Sequence, residues 1–548
     1  MKVLHIFKKK FLVPTLILSG VIGLATTLTD DFEIAKNLEI YSNIYRDLNI
    51  YYVDEIDPEK LMETGLEAML NSLDPYTTYI PAEEVEQFRS SITGHYGGMG
   101  ATITSEGDYV IITELYEQAP AHKTGLRPGD KLIAANGQSL KGKNVKEIST
   151  IMRGKPGTVV KAEVQRPGVK ESLFFEIKRE EVNVNNLPHY EVLDGDIGYI
   201  ALTTFTENAG KNVHSALMEL KNKKQLKGIV LDLRGNSGGL LAEAVNVVNV
   251  FVNKGEEVVS IKGKEKDKQQ IFKTLHNPVD TELPLVVLID ANSASASEIV
   301  AGAIQDLDRG VIVGAKSYGK GLVQNTRDLP FGAKLKITTA RYYIPSGRCI
   351  QSLQYKDGQS KAIADSLREA FKTKNGRVVY DGGGVAPDLA LQQDDFKKIL
   401  NSLNQQRLIF DYAVDYRTRH DAIAAAKDFK LNEEDYKDFI GFLERRNYSY
   451  VTETERALIN LEQKASDENY AEALNSQIEE MKEILKKGKS DMLEGFKKEL
   501  LFELQRNICL NYHLERGALQ NATKYDPAVL KSTELLNATN DYKAILKR

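Results

Sequence analysis

The period of apolar and polar positions changes several times along this chain. From residue 31 to about 93, apolar residues recur at helical spacing, as in Ile34, Leu38, Tyr41, Ile44, Tyr45 and Leu48. Pro75 and Pro81, inside Ser72-Leu73-Asp74-Pro75-Tyr76-Thr77-Thr78-Tyr79-Ile80-Pro81, do not fit a helix interior and predict a turn between helices. After Gly97-Gly98-Met99-Gly100 the pattern becomes that of strands, in Ala101-Thr102-Ile103 and Tyr109-Val110-Ile111-Ile112, in a unit ending near Ile177. Between about 182 and 395, apolar runs at Ile197–Leu202, Gly228–Leu233, Leu285–Ile289, Val311–Val313 and Leu335–Thr339 are separated by helical stretches, which predicts an α/β layer. Past 396 glycine becomes rare, and Glu, Lys, Leu and Ala predict an all-helical tail with a long amphipathic stretch from about Glu453 to Asn511.

Charge and composition narrow the function. Lys8-Lys9-Lys10 precede an apolar run from Phe11 to about Ala25, the order of a signal peptide or N-terminal membrane anchor. The basic end stays in the cytoplasm. The remainder is therefore expected in the bacterial periplasm, either released or held to the inner membrane by residues 8–27. Net charge is −5 over 548 residues with both signs interspersed, so no basic stripe is available for nucleic acid. Two cysteines, Cys349 and Cys509, exclude a disulfide framework and predict unpaired thiols. The histidines are scattered and no H-E-x-x-H occurs, so neither a metal nor an organic cofactor is expected.

Three stretches carry candidate chemistry. Ser295, in Asn292-Ser293-Ala294-Ser295-Ala296-Ser297-Glu298-Ile299, falls between the strand Leu285–Ile289 and a helix expected over 297–306. A serine on such a turn is exposed near helix N–H groups, yet Ser-x-x-Glu is also a capping box that needs no chemistry. Lys320, 25 residues later (320 − 295), lies in Tyr318-Gly319-Lys320-Gly321-Leu322-Val323-Gln324. A free lysine titrates near ~10.4, and burial lowers this by up to roughly 3–5 units, into the range of a general base. Gln324 is placed to hold its amine. The glycine loop of Asp232-Leu233-Arg234-Gly235-Asn236-Ser237-Gly238-Gly239 follows a strand and can supply oxyanion N–H groups. Gly238 with Ala296 is the expected pair, and Gly239 is the alternative to Gly238. Upstream, Gly98, Met99, Gly100 and Ala101 form a glycine turn before a strand, suited to holding a peptide carboxylate while the strand edge takes the peptide by β-augmentation. Ala119-Pro120-Ala121-His122-Lys123-Thr124-Gly125-Leu126-Arg127-Pro128-Gly129-Asp130 resembles the helix and turn of PDZ domains, with Lys123-Thr124 as a departure.

The frames S-A-S-A-S-E-I, G-K-G-x-V-Q and D-L-R-x-N-x-G-G resemble those of the C-terminal processing peptidases, or tail-specific proteases. So do Leu73-Asp74-Pro75, Tyr342-Tyr343-Ile344-Pro345-Ser346-Gly347-Arg348 and Gly382-Gly383-Gly384-Val385-Ala386-Pro387-Asp388. The resemblance covers roughly residues 35 to 390. It implies a crotonase-like α/β protease core with an inserted PDZ domain, Ser295 as nucleophile, Lys320 as base and Gln324 as the lysine's positioner. Implied substrates are proteins bound by their C-termini. The expected organisation is a signal or anchor over 1–30, a helical region over 31–93, a PDZ domain over 94–180, a Ser-Lys protease core over 181–395 and a helical extension over 396–548. Gly235 departs from the asparagine common in the family, and the helical extension is not a core family feature. The helical regions at both ends are expected to bind an adaptor or a second copy of the chain, or simply to cap the core.

Two other readings use the same residues. Gly235-Asn236-Ser237-Gly238-Gly239 imitates the frame around the nucleophile of trypsin-like proteases, with Ser237 attacking. Domain order opposes this, as does the short distance from His189 and His214 to Ser237. The chain could also be a PDZ-bearing envelope scaffold without turnover, which intact Ser295, Lys320 and Gln324 oppose.

Overall fold

The structure, a computed structural model, describes residues 12–264, 269–391, 394–448 and 452–547. Residues 1–11 of the expected leader lie outside these, and 12–30 are described only as helical backbone. Among the described residues, no helix is long and apolar enough to cross a membrane. The chain divides into two compact units. One comprises Met1–Ile80, Thr326–Ile337 and Tyr355–Gln359, and the other comprises the rest.

The first unit follows its caps. Helix Leu12–Tyr51 leads to helix Pro58–Asn71, which starts where Asp57 accepts the N–H groups of Glu59 at 3.0 Å and Lys60 at 3.2 Å. The Asp74 carboxylate then closes the proline turn, taking the N–H of Tyr76 at 2.8 Å and of Thr77 at 2.9 Å. Between the two prolines the chain makes a short strand, Thr78–Ile80, antiparallel to Lys334–Lys336, where the sequence predicts only a turn. Pairing with a distant strand decides this, and local spacing does not report it.

In the second unit, a six-stranded sheet has the order His189–Leu193, Ile197–Ala201, Gly228–Asp232, Leu285–Ile289, Val311–Gly314 and Leu389–Ala390. Its first pair is antiparallel and the others parallel. The inner strands are buried along their whole length, as expected of continuous apolar runs covered on both faces. Alternate residues turn to opposite sides. Ile200, Ile229, Leu231, Val287 and Ile289 pack with helices Ala209–Lys223, Leu241–Phe251 and Ala296–Asp306. Tyr199, Val230, Val286, Leu288 and Val313 pack instead with Val529, Leu535, Leu536, Tyr542 and Leu546, from the end of the chain. The last two helices, Pro527–Asn537 and Thr539–Ile545, are thus the second cover of the central sheet.

A five-stranded antiparallel path, Ala101–Glu106, Tyr109–Leu115, Lys131–Ala135, Val159–Gln165 and Leu173–Lys178, builds the inserted module around Val110, Ile112, Leu132, Ile148 and Val164. The chain enters and leaves it through one antiparallel ribbon, His95–Gly98 against Glu180–Asn183. Beyond 396 the chain is helical, but the expected long stretch is broken into Glu453–Asp467, Ala471–Gly495 and Lys497–Tyr525. Asn469, at φ 65°, turns the chain between the first two, a conformation asparagine tolerates. Cys349 and Cys509 are unpaired, as the sequence predicts.

Tyr542 ties the last helix to the central strand: its hydroxyl donates to the Leu285 carbonyl at 3.0 Å and accepts the Leu285 N–H at 2.9 Å. Tyr542→Phe leaves the buried Leu285 N–H without its acceptor, so a loss of about 1–3 kcal/mol is expected, read as a lowered midpoint in urea unfolding.

Candidate active site

The turn between strand Leu285–Ile289 and helix Ala296–Asp306 carries three serines with different surroundings. Ser293 and Ser297 are fully buried and tie the turn to the neighbouring glycine loop. Ser293 Oγ donates to the Leu233 carbonyl at 2.8 Å, and Ser297 Oγ to the Asn236 carbonyl at 2.7 Å. Ser295 is half-buried, and its backbone stands at φ 56°, ψ −113°. Ser295 is the N-cap of this helix, and the expected capping box with Glu298 is present, but a cap ordinarily sits in the extended region and this one does not. Such a conformation costs on the order of 1–3 kcal/mol in a residue other than glycine and persists only where its surroundings enforce it.

Glu298 enforces it. This carboxylate is wholly buried and accepts four donors. Its Oε2 takes the Ser295 N–H at 2.8 Å and the Lys320 N–H at 2.9 Å. Its Oε1 takes the Gly319 N–H at 2.7 Å and the Ser317 hydroxyl at 2.5 Å. One oxygen thereby binds the backbones of both residues that the sequence singles out. Burial pushes the Glu298 carboxyl up to about 7, against the pull of these four donors. On the other side the Tyr342 hydroxyl lies 3.2 Å from the Ser295 carbonyl oxygen and also meets the Lys320 carbonyl. Tyr318 N–H donates to the Ser293 carbonyl at 3.0 Å, a third tie between the two loops.

The lysine loop is tightly packed. Gly319 stands at φ 88°, and a Cβ there would lie 2.4 Å from that of Ser352. Gly321 N–H donates to Gln351 Oε1 at 2.7 Å. Gln324 donates to Thr338 Oγ1 at 3.2 Å, from the strand that follows the lysine.

In the glycine loop, Asn236 is the organiser. Its side chain donates to the Leu202 carbonyl at 2.8 Å, its carbonyl accepts Ala294 N–H at 3.1 Å, and its Oδ1 accepts Gly238 N–H at 2.9 Å. A Cβ on Gly238, whose φ is 104°, would lie 2.8 Å from Ser295 Cβ, so only glycine lets this loop reach the serine. The Gly238 N–H is therefore already engaged. Among the described residues, the N–H groups of Gly239 and Ala296 take no acceptor. Ser237 is exposed.

The module's candidate loop is likewise filled. The Tyr96 ring lies against Gly98, within 2.7 Å of where a Cβ would be, with the Arg153 guanidinium 4.3 Å above its centre. Burial raises the phenol well above its usual range, against a smaller pull from the backbone N–H groups of Gly100 and Ala101 nearby. Met99 is buried in the module core, and its carbonyl accepts Ala121 N–H at 2.8 Å. Strand Ala101–Glu106 is the edge of its sheet and packs beside helix Val145–Met152.

Sequence reasoning assigns Glu298 only to the cap and Tyr342 only to a motif. The legible signal was the fixed spacing of Glu298 from Ser295, together with Ser317 before the lysine. Glu298→Gln replaces a four-donor acceptor by a group with one acceptor and two N–H donors. A fall of roughly 10²-fold in kcat/KM is expected, with the activity limb near pH 7 lost from the residual profile. The sign for stability is opposite. A raised carboxyl contributes stability fully below about 4.5, lost as pH rises through about 7, so the variant should gain relative stability above pH 7 in urea titrations.

Comparison with known proteins identifies the family. Residues 196–357 match peptidase family S41, residues 111–166 a PDZ domain, and residues 399–536 a domain described as a probable PDZ-protease C-terminal helical domain. The chain is 37% identical over 336 residues to a carboxy-terminal-processing protease of Bartonella bacilliformis, covering 61% of this chain and 77% of that protein. It is 30% identical over 470 residues to carboxy-terminal processing protease CtpA of Bacillus subtilis, covering 86% of this chain and 94% of that one. It is 35% identical over 348 residues to CtpB of the same organism, covering 63% and 71%. The chain belongs to the carboxy-terminal processing proteases, the PDZ-bearing serine peptidases of family S41.

Proposed function

We propose that Ser295 and Lys320 are the nucleophile and general base of an exported endopeptidase that reads protein C-termini through its PDZ domain. The observation that carries this is the Glu298 carboxylate, which binds the Ser295 and Lys320 backbones through one oxygen. Neutral Lys320 takes the hydroxyl proton as Ser295 attacks the amide carbon, and the developing oxyanion is held by backbone N–H groups. Ala296 supplies one of these. Gly238 supplies the second after releasing Asn236, or its neighbour Gly239 does so directly. The same lysine then protonates the leaving amine, and water activated by it cleaves the acyl-enzyme. Gln324, beside this loop, is the lysine's positioner. No metal or organic cofactor enters any step.

Tail recognition rests on the edge strand Ala101–Glu106 and helix Val145–Met152, between which an extended peptide adds a strand. The half-buried side chains of Ile103, Val145 and Ile151 favour an apolar tail. The substrate carboxylate takes the Gly100 and Ala101 N–H groups over from Tyr96. The sheet that carries the dyad, with its loops at the strands' C-terminal ends, is crotonase-like in this reading. The domain limits are 94–180 for the PDZ domain, 181–395 for the core and 396–548 for the extension. The leader directs the chain to the periplasm. Ile34, Leu38, Tyr41 and Ile44 stay exposed on helix Leu12–Tyr51, an apolar face suited to an adaptor or a second copy of the chain.

The test is cleavage of an unfolded protein with an apolar C-terminus. Ser295→Ala and Lys320→Met are expected to abolish turnover, while Ser237→Ala keeps it; turnover unaffected by Lys320→Met would refute the scheme. Amidating the substrate's C-terminus removes the charge the loop would hold, so an increase of roughly tenfold in KM is expected by steady-state kinetics.

A further inference from the structure

The C-terminal extension reaches the glycine loop beside Ser295 through an ion pair. Arg234 opens the glycine loop, and its guanidinium is shared by two carboxylates. Nε lies 2.9 Å from Asp232 Oδ1, Nη2 2.7 Å from Asp232 Oδ2, and Nη1 2.7 Å from Asp526 Oδ2. Asp232 ends the strand before the loop and is further held by the Tyr199 hydroxyl at 2.8 Å. Asp526 lies 292 residues further along the chain, at the junction of helices Lys497–Tyr525 and Pro527–Asn537, and is only 4% exposed. Both carboxylates are nearly removed from water, so the guanidinium has a fixed place between them. The next residues are Gly235, whose N–H goes to Asp290 Oδ1 at 3.0 Å, then Asn236 and Gly238, which abut the Ser295 turn.

Asp526 also has an ordinary task. Its Oδ1 caps helix Pro527–Asn537, accepting Ala528 N–H at 2.7 Å. The two oxygens are thus divided between a cap and Arg234. A cap needs no charge, since asparagine and serine cap as well as aspartate. A second buried carboxylate aimed at the loop arginine is therefore more than the helix requires.

We propose that Asp526 is a positioning residue for the protease reaction: through Arg234 it fixes the glycine loop, so that the C-terminal extension completes the active site. The idea rests on the reading of this loop as the oxyanion hole. The carboxylate holds the guanidinium, the guanidinium holds the start of the loop, and the loop presents its N–H groups beside Ser295. The extension covers the central sheet in the same segment, so a chain whose last helices are undocked has a loose loop and a slow enzyme. PDZ binding of the substrate tail is untouched.

The test uses the full-length chain with Asp526→Asn and Asp526→Ser, both of which keep a capping oxygen and remove the charge. Kinetics are measured per active site, counted from the burst of an activated ester. A peptide aldehyde probes the loop, because its hemiacetal oxygen needs the oxyanion donors while a product peptide does not. Expected are a roughly tenfold fall in kcat, KM within about twofold of wild type, and aldehyde inhibition weakened by the same factor as kcat. Product affinity should stay near wild type, and kinetics are measured well below the melting temperature, which falls because a buried charge pair loses one partner. Wild-type kcat and aldehyde affinity in both variants would overturn the proposal and leave the oxyanion reading intact. A fall in kcat with unchanged aldehyde affinity would overturn the oxyanion reading, and the proposal with it. A lower count of active sites, each with wild-type kcat, would reduce Asp526 to a structural cap.

Discussion

A parallel sheet with two apolar faces needs two covers, and most of this structure follows from that constraint. The inner strands carry aliphatic side chains on both sides, so neither face tolerates water. Helices between the strands cover one face. The other face is covered by Val529, Leu535, Leu536 and Tyr542 near the chain end, with Leu389 and Leu391 packed beside them. The chain must therefore travel back to its own core after the PDZ domain and the catalytic strands have been laid down. On the way, the helical extension also packs on the PDZ domain, where Leu514 joins the apolar core and a Cβ on Gly129 would meet Val414. The extension is thus part of the enzyme's interior at two places.

The candidate site lies where loops leave the C-terminal ends of the core strands, and its order is electrostatic. Moving a carboxylate out of water is unfavourable unless its oxygens are filled, and Glu298 has four donors directed at it. These donors come from two separate loops, so satisfying one buried charge fixes the relative position of both. The strained backbone of Ser295 is held by the same contact. Arg234, between Asp232 and Asp526, repeats the device at the glycine loop with the charges reversed. In both cases a buried charge sets geometry, which agrees with the modest net stability such groups contribute.

The reading of the chain and its structure part at identifiable places. The strand runs, the helix after Ser295 and the unpaired cysteines were legible because each depends on local spacing or composition. The short strand between Pro75 and Pro81 was not, because a strand of three residues exists only through its distant partner. The single long helix expected from Glu453 is three helices, since amphipathic spacing continues across a turn that Asn469 makes with little strain. At the site, Gly238 was expected to offer its N–H to an oxyanion, and the structure gives that N–H to Asn236. Side-chain competition of this kind has no sequence period. Tyr96 over the glycine turn of the PDZ domain is another instance.

Taken alone, the sequence determined most of the element types and the family, and it singled out the two residues proposed to react. Those rest on periodicity, on glycine and proline placement, and on functional groups whose chemistry is intrinsic. The tertiary structure decided which helices cover which face, why Ser295 rather than Ser293 or Ser297 is left accessible, and which acids address which loops. Glu298 was visible three residues from Ser295, but its bond to Lys320 spans a turn, a helix and a strand. Asp526 was one acidic residue among many until the fold brought it to Arg234. Local sequence fixes what a residue is able to do. Burial, and the requirement that buried polar groups find partners, selects which residues meet to do it.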